Sequence, residues 1–203
     1  MQKFVKFVCG IMVVGFLFTL GIILADKQTL RTQIIRMHVV ANSDSTNDQE
    51  DKLAVRDAIM QYLQVKLNDI KDIYAARMVL SEELSTLESI ANETLAKLGN
   101  RYSARVTLTQ EEFDKREYET FSLPSGVYES LRIQIGNGEG KNWWCVVFPS
   151  FCVPTSEDYF QSTAVSSGFN YGLAETLSNN NEYEFRFFLL DRLGKIENFL
   201  NIS

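Results

Sequence analysis

Ile34-Ile35-Arg36-Met37-His38-Val39-Val40-Ala41, then Asn42-Ser43-Asp44-Ser45, then a polar-started amphipathic run to about Asn68, is the stretch that decides the fold. The first octet is β-rich and bounded by polar residues, so it reads as a strand. Ile35, Met37, Val39 and Ala41 share one face; Arg36, His38 and Val40 share the other. The four polar residues make a tight connection. Ser45 with Asp48, and Thr46 with Gln49, then have capping-box spacing, and Asp48, Glu50 and Asp51 stand where a helix dipole favours acids. Leu53, Ile59, Tyr62, Leu63 and Leu67, with Ala58 beside them, give that helix its stripe.

Upstream, Phe7 to Ala25 carries no charge, Lys3 and Lys6 precede it and Asp26 follows. A positive start and an apolar run of bilayer length describe an export segment with its N-terminus inside. It is either a signal peptide, with small residues at Thr19 and Gly21 for cleavage, or an uncleaved anchor. Residues 1–25 are therefore the export segment, and 26–203 a single extracytoplasmic domain.

Downstream, Leu84, Leu87, Ala91, Leu95 and Leu98 recur at helical spacing, and Gly99-Asn100 stops that helix. Strands follow at about Ser103–Thr109, Val127–Ile135 and Trp143–Phe148, with a glycine-rich hairpin connection over Gly136–Gly140. The stretch from Pro149 to about Asn181 reads as irregular apart from a short helix near Gly172–Leu177. The alternation of Tyr183, Phe185, Phe187 and Leu189 suggests a last strand. The expected class is α+β: two layers, a mostly antiparallel sheet of about five strands packed by two long helices.

Composition excludes several functions. The chain has 203 residues, 20 Lys+Arg against 26 Asp+Glu and a formal charge of −6, which argues against nucleic acid. Three cysteines and one histidine cannot build a Cys2His2 zinc site. His38, Cys145 and Cys152 could in number supply three ligands, but nothing in their spacing enforces it, so no metal and no cofactor is expected. A Ser-His-Asp triad would need His38, with Asp44 near in sequence, but no Gly-x-Ser-x-Gly elbow is present. Adjacent acids such as Glu82-Glu83 and Glu111-Glu112 read as solvated faces, and the glycine loop lacks the helix of a phosphate cradle.

The strongest local feature is Trp143-Trp144-Cys145-Val146-Val147-Phe148-Pro149-Ser150-Phe151-Cys152. In an oxidising compartment, a chain turning back at Pro149-Ser150 brings Cys145 and Cys152 into disulfide range; two free buried thiols are the alternative. Trp143 and Trp144 are candidate anchors for a partner.

Two blocks together resemble the stage II sporulation protein R family. The first is Arg36–Ser45 with Asp48-Gln49 and Lys52–Ala58. The second is Leu123-Pro124-Ser125-Gly126-Val127-Tyr128 with Gly138-x-Gly140-Lys141-Asn142-Trp143 through Pro149. The chain departs from the family pattern at Pro149-Ser150-Phe151-Cys152, and no signature is matched after Pro154. The resemblance implies a non-enzymatic signal exported from the forespore into the space between the forespore and mother-cell membranes. There it would activate a membrane-embedded aspartic peptidase that processes pro-sigma-E, with no nucleic acid and no small-molecule substrate involved. An exported hydrolase using His38 and a membrane-anchored scaffold are the alternatives. On the signalling reading, Arg36, His38, Asn42, Ser43, Asp44, Arg56 and Asp57 form the partner-binding face.

Overall fold

The computed structural model describes residues 1–150, 152, 156–178 and 185–201. Helix α1 (Gln2–Gln33) runs directly into strand β1 (Ile35–Val40). Helices α2 (Thr46–Leu67), α3 (Ile73–Glu82) and α4 (Leu84–Lys97) follow, then strands β2 (Ala104–Phe113), β3 (Arg116–Glu117), β4 (Ser122–Leu123), β5 (Gly126–Ile135) and β6 (Asn142–Phe148). Helices α5 (Glu157–Ser166), α6 (Tyr171–Leu177) and α7 (Phe185–Asn201) come last.

The class is α+β. The main sheet has the order β2-β5-β1-β6, and β3 with β4 forms a two-stranded ribbon. β2 with β5 and β1 with β6 pair antiparallel, while β1 with β5 is parallel. β1 thus lies between β5 and β6. The Gly136–Gly140 connection is therefore not a hairpin between neighbours: it arches over the far end of β1, where the Gly140 N–H donates to the Ala41 carbonyl. Gly136 and Gly138 hold positive φ there, of 54° and 68°.

Alternation puts Ile35, Met37, Val39, Leu131, Ile133 and Ile135 on the face covered by α2–α4, in one buried cluster with Val55, Ile59, Leu63, Leu87, Ala91 and Leu95. On α2, Val55 is buried and Leu53 is exposed; Val55, Ile59, Leu63 and Leu67 follow each other at four-residue spacing, so the stripe expected to include Leu53 is one step round the helix. α3, unread in the sequence, is capped by Asp72, whose carboxylate accepts from the Tyr74 and Ala75 N–H groups. It buries Ile73, Ala76 and Leu80.

The opposite sheet face carries a second cluster. Ile23 and Leu30 of α1, Phe160 and Ala164 of α5, Leu173 and Leu177 of α6, and Leu190 of α7 pack with Tyr128 and Val146. Among the described residues this partial third layer covers the end where β1 begins. The strand expected over 183–189 is corrected by α7. Phe187, Leu190 and Leu193 recur every three residues, and the two-residue alternation was too short a window to separate the periods. Tyr183 and Glu184 lie outside the described residues.

Cys145 and Cys152 are joined in a disulfide, Cα–Cα 5.0 Å, and Pro149-Ser150 makes the turn between them. Phe151 lies outside the described residues.

Candidate functional site

The residues expected to form one face are divided by the pleat of β1 and β6. Arg36 and His38 point to the second sheet face, with Trp144; Trp143 points to the α2 side. Arg36 and His38 are 0% and 6% exposed, so neither projects to solvent, which corrects the expected contact face.

Arg36 lies 3.9 Å above the Phe113 ring and 5.1 Å from the Tyr128 ring, and one Nη donates to the Tyr118 hydroxyl at 3.0 Å. Its Nε and other Nη have no hydrogen-bond partner among the described residues. Burial pushes the guanidinium pKa down, against the opposing pull of Tyr118. Two aromatic faces offset part of the desolvation cost, and no carboxylate among the described residues pairs with it. Replacing Arg36 by methionine, which fills similar volume without the charge, is therefore expected to leave stability unchanged or raise it by about 1 kcal/mol. Arg36→Ala, which leaves a cavity, is expected to lose about 2–4 kcal/mol. Thermal unfolding of both variants checks this, and a methionine variant as unstable as the alanine one would sink it.

Two residues on, His38 Nδ1 faces Glu111 Oε2 at 3.1 Å, so the Nδ1–H donates; Glu111 Oε1 accepts from Arg132 Nη1 at 3.0 Å. Arg132 also donates to Gln134. Burial pushes the Glu111 carboxyl up, but the hydrogen bonds from His38 and Arg132 help to outweigh it and hold the pKa below the ordinary value. The Trp144 ring centre is 4.3 Å from His38, and the Arg116 guanidinium sits 4.9 Å above Trp144. Glu111, not Asp44, is thus the acid of the histidine. His38 Nε2 is buried with no hydrogen-bond partner among the described residues.

Asn42, Ser43 and Asp44 build a clasp. Asn42 and Ser43 donate from their side chains to the Asp48 carboxylate, and Tyr102 donates to its other oxygen. Asn42 Oδ1 accepts from the Asn137 N–H at 3.0 Å, and Asp44 Oδ1 from the Lys141 N–H at 2.7 Å. Ser45 caps α2 by accepting from the Asp48 N–H, as its spacing predicts. The Asp48 side chain completes no capping box, because Asn42, Ser43 and Tyr102 occupy it. Hydrogen bonds from Ser43, Tyr102 and Asn42 lower the Asp48 pKa to about 2. A Cβ at Gly140 would collide with the Ser43 carbonyl, so only glycine lets the arch approach this loop.

Beside the clasp an accessible group is assembled. The Arg56 guanidinium stacks 4.9 Å over Trp143 and bonds to Asp57, which is 63% exposed in its side chain. Lys52 lies within electrostatic reach of Asp44, Arg56 and Lys141, and its Nζ donates to the Lys141 carbonyl. Asp44, Arg56, Asp57 and Trp143 are therefore brought together near the start of the edge strand β6, while Arg36, His38 and Trp144 lie behind the sheet. Sequence reading missed Glu111, Arg132 and Asp48 as the organising acid and base groups. Only Asp48 carried a signal, its spacing from Ser45.

A family model described as Stage II sporulation protein R (spore_II_R) matches residues 31–158, which span β1 to β6. The Stage II sporulation protein R of Bacillus subtilis (strain 168) is 40% identical over 120 residues, which are 59% of this chain and 54% of that protein. The chain thus spans about half the length of the curated relative it matches. No solved structure matches it.

Proposed function

We propose, because this chain belongs to the stage II sporulation protein R family, that it is an exported forespore signal rather than an enzyme. It acts in the space between the forespore and mother-cell membranes. Its target there is the membrane-embedded aspartic peptidase that cleaves pro-sigma-E. Family membership is the observation that carries this reading. The apolar α1, compatible with export or anchoring, and the disulfide of an oxidising compartment support it.

An activator must bind the active state of its target better than the inactive one. Moving a peptidase from about 1% to 99% active takes roughly 5.5 kcal/mol of differential affinity. The half-buried Arg56 and Trp143, with the exposed Asp44 and Asp57, have the chemistry to contribute: an arginine stacked on a tryptophan, flanked by carboxylates.

The test is reconstitution in a non-sporulating bacterium that makes pro-sigma-E and the peptidase together with this protein. Pro-sigma-E cleavage is expected with the full chain. It is expected to vanish when residues 2–21 are deleted, which blocks export but leaves Ile23 and Asp26 in place. Arg56→Glu with Asp57→Lys, on a solvent-facing helix surface, is expected to cut cleavage at least tenfold at unchanged protein level. Cleavage without export would overturn the signalling geometry, and normal cleavage by the double variant would remove this face.

A further inference from the structure

The export helix does not end where the domain begins. α1 is unbroken from Gln2 to Gln33, about 48 Å. A hydrocarbon layer of about 30 Å takes roughly 20 of its residues. The exposed apolar positions of α1 run from Phe4 to Leu24, yet Ile23 is already buried in the second core cluster. Three residues later Asp26 is 1% exposed, its carboxylate bonded by Arg186 of α7 at 2.6 Å and by Asn170 at 3.2 Å. Leu30 is buried against the same layer, and Lys27 and Arg31 both reach Glu197. Ile34 then leads into β1 with no linker.

A cut after Ala25 would place a new ammonium inside the Asp26–Arg186 contact, and a cut after Gly21 would leave Ile23 on a fraying helix end. Breaking into a buried ion pair is costly. The direction of the domain follows from the same contacts. Lys27, Leu30 and Arg31 lie beside Gly126–Tyr128 at the start of β5, and β5 runs parallel to β1 away from α1. The Gly136–Gly140 arch is therefore remote from the apolar helix. Asn170-Tyr171 and the first turn of α7 adjoin it. There Tyr171 and Phe188 are 64% and 50% exposed.

We propose that α1 is retained as an anchor and that the surface bearing Tyr171 and Phe188 rests on the lipid headgroups. The occupant of that apolar surface is the bilayer, because the domain's own core grips the end of the membrane-length helix with no slack between them. An exposed tyrosine at this level suits the membrane interface. The protein is then a seated ligand, unable to diffuse from its membrane. This holds whether or not the peptidase reading is right, and its test involves no peptidase.

Full-length protein carrying Cys9→Ser would be reconstituted into phosphatidylcholine/phosphatidylglycerol vesicles. A fluorophore would be placed at Tyr171→Cys, Phe188→Cys or Asn137→Cys, and quenched by lipids bearing a nitroxide at the headgroup. Quenching at 171 and 188 is expected to be at least threefold that at 137. Equal quenching at all three overturns the lipid-facing surface. In parallel, mass spectrometry of the protein from exporting cells is expected to find residues 1–25 attached in the membrane fraction. A folded, released protein lacking them overturns retention.

Discussion

Asp48→Ala is expected to lower the unfolding free energy by about 3 kcal/mol. The carboxylate takes side-chain hydrogen bonds from Asn42, Ser43 and Tyr102. Each bond to a charged group contributes about 1.5–3 kcal/mol; Asn42 and Ser43 would lose this acceptor, while Tyr102 keeps Asp51. For a domain of this size that loss corresponds to roughly 10 °C in Tm. The effect has a defined pH dependence. The folded pKa is about 2, below the ordinary value of about 3.9. The contribution is therefore complete above about pH 4 and is lost as pH falls through about 2. Urea unfolding of wild type and variant at pH 7 and pH 2 should show the gap shrink in acid. A loss under about 1 kcal/mol, or a gap independent of pH, would contradict the role given to Asp48.

Gly194→Ala is the second large effect. In sequence terms it should help, since alanine is the better helix former by about 1 kcal/mol. The structure reverses the sign. α7 crosses the corner before β5 so closely that a Cβ at Gly194 would overlap the Ser125 carbonyl, and that neighbour is backbone. Asp191, one turn earlier, accepts from both the N–H and the hydroxyl of Ser125, at 3.0 and 2.8 Å, while the same hydroxyl accepts from the Lys115 N–H. The helix cannot back away without giving up these bonds. Overpacking of this kind costs about 1–3 kcal/mol, and more where backbone must move. We expect at least 3 kcal/mol, together with faster protease cutting after α6. Proteolysis and thermal unfolding of Gly194→Ala decide it, and a variant as stable as wild type would mean that α7 does not dock at this corner.

The strand at β1 was legible because six residues alternate between two buried faces, and α2 because its cap and stripe agree. The last strand was misread because Tyr183–Leu189 is too short to distinguish a period of two from one of 3.6, and the deciding residues, Leu190 and Leu193, lie beyond it. The contact face was misjudged for a different reason. Arginine and histidine on a strand are ordinarily exposed, and nothing local says that Phe113, Tyr118 and Tyr128, far along the chain, will close over Arg36. Glu111 was read as half of a solvated acidic pair, yet β2 pairs with β5 in a register that sets it beside Arg132 and His38.

Local sequence was enough for the apolar N-terminal segment, the α+β class, the position of β1 and α2, the family and the turn that lets Cys145 meet Cys152. These follow from hydropathy, periodicity and short spacings, which are local. The three-dimensional packing was needed to put β1 between β5 and β6, to enclose Arg36 and His38 while Arg56 and Trp143 stay half-exposed, and to lock Asp26 to Arg186. Those outcomes depend on strand order and on contacts across 73 to 160 residues of chain. No local pattern encodes them, because each partner's own sequence is compatible with solvent.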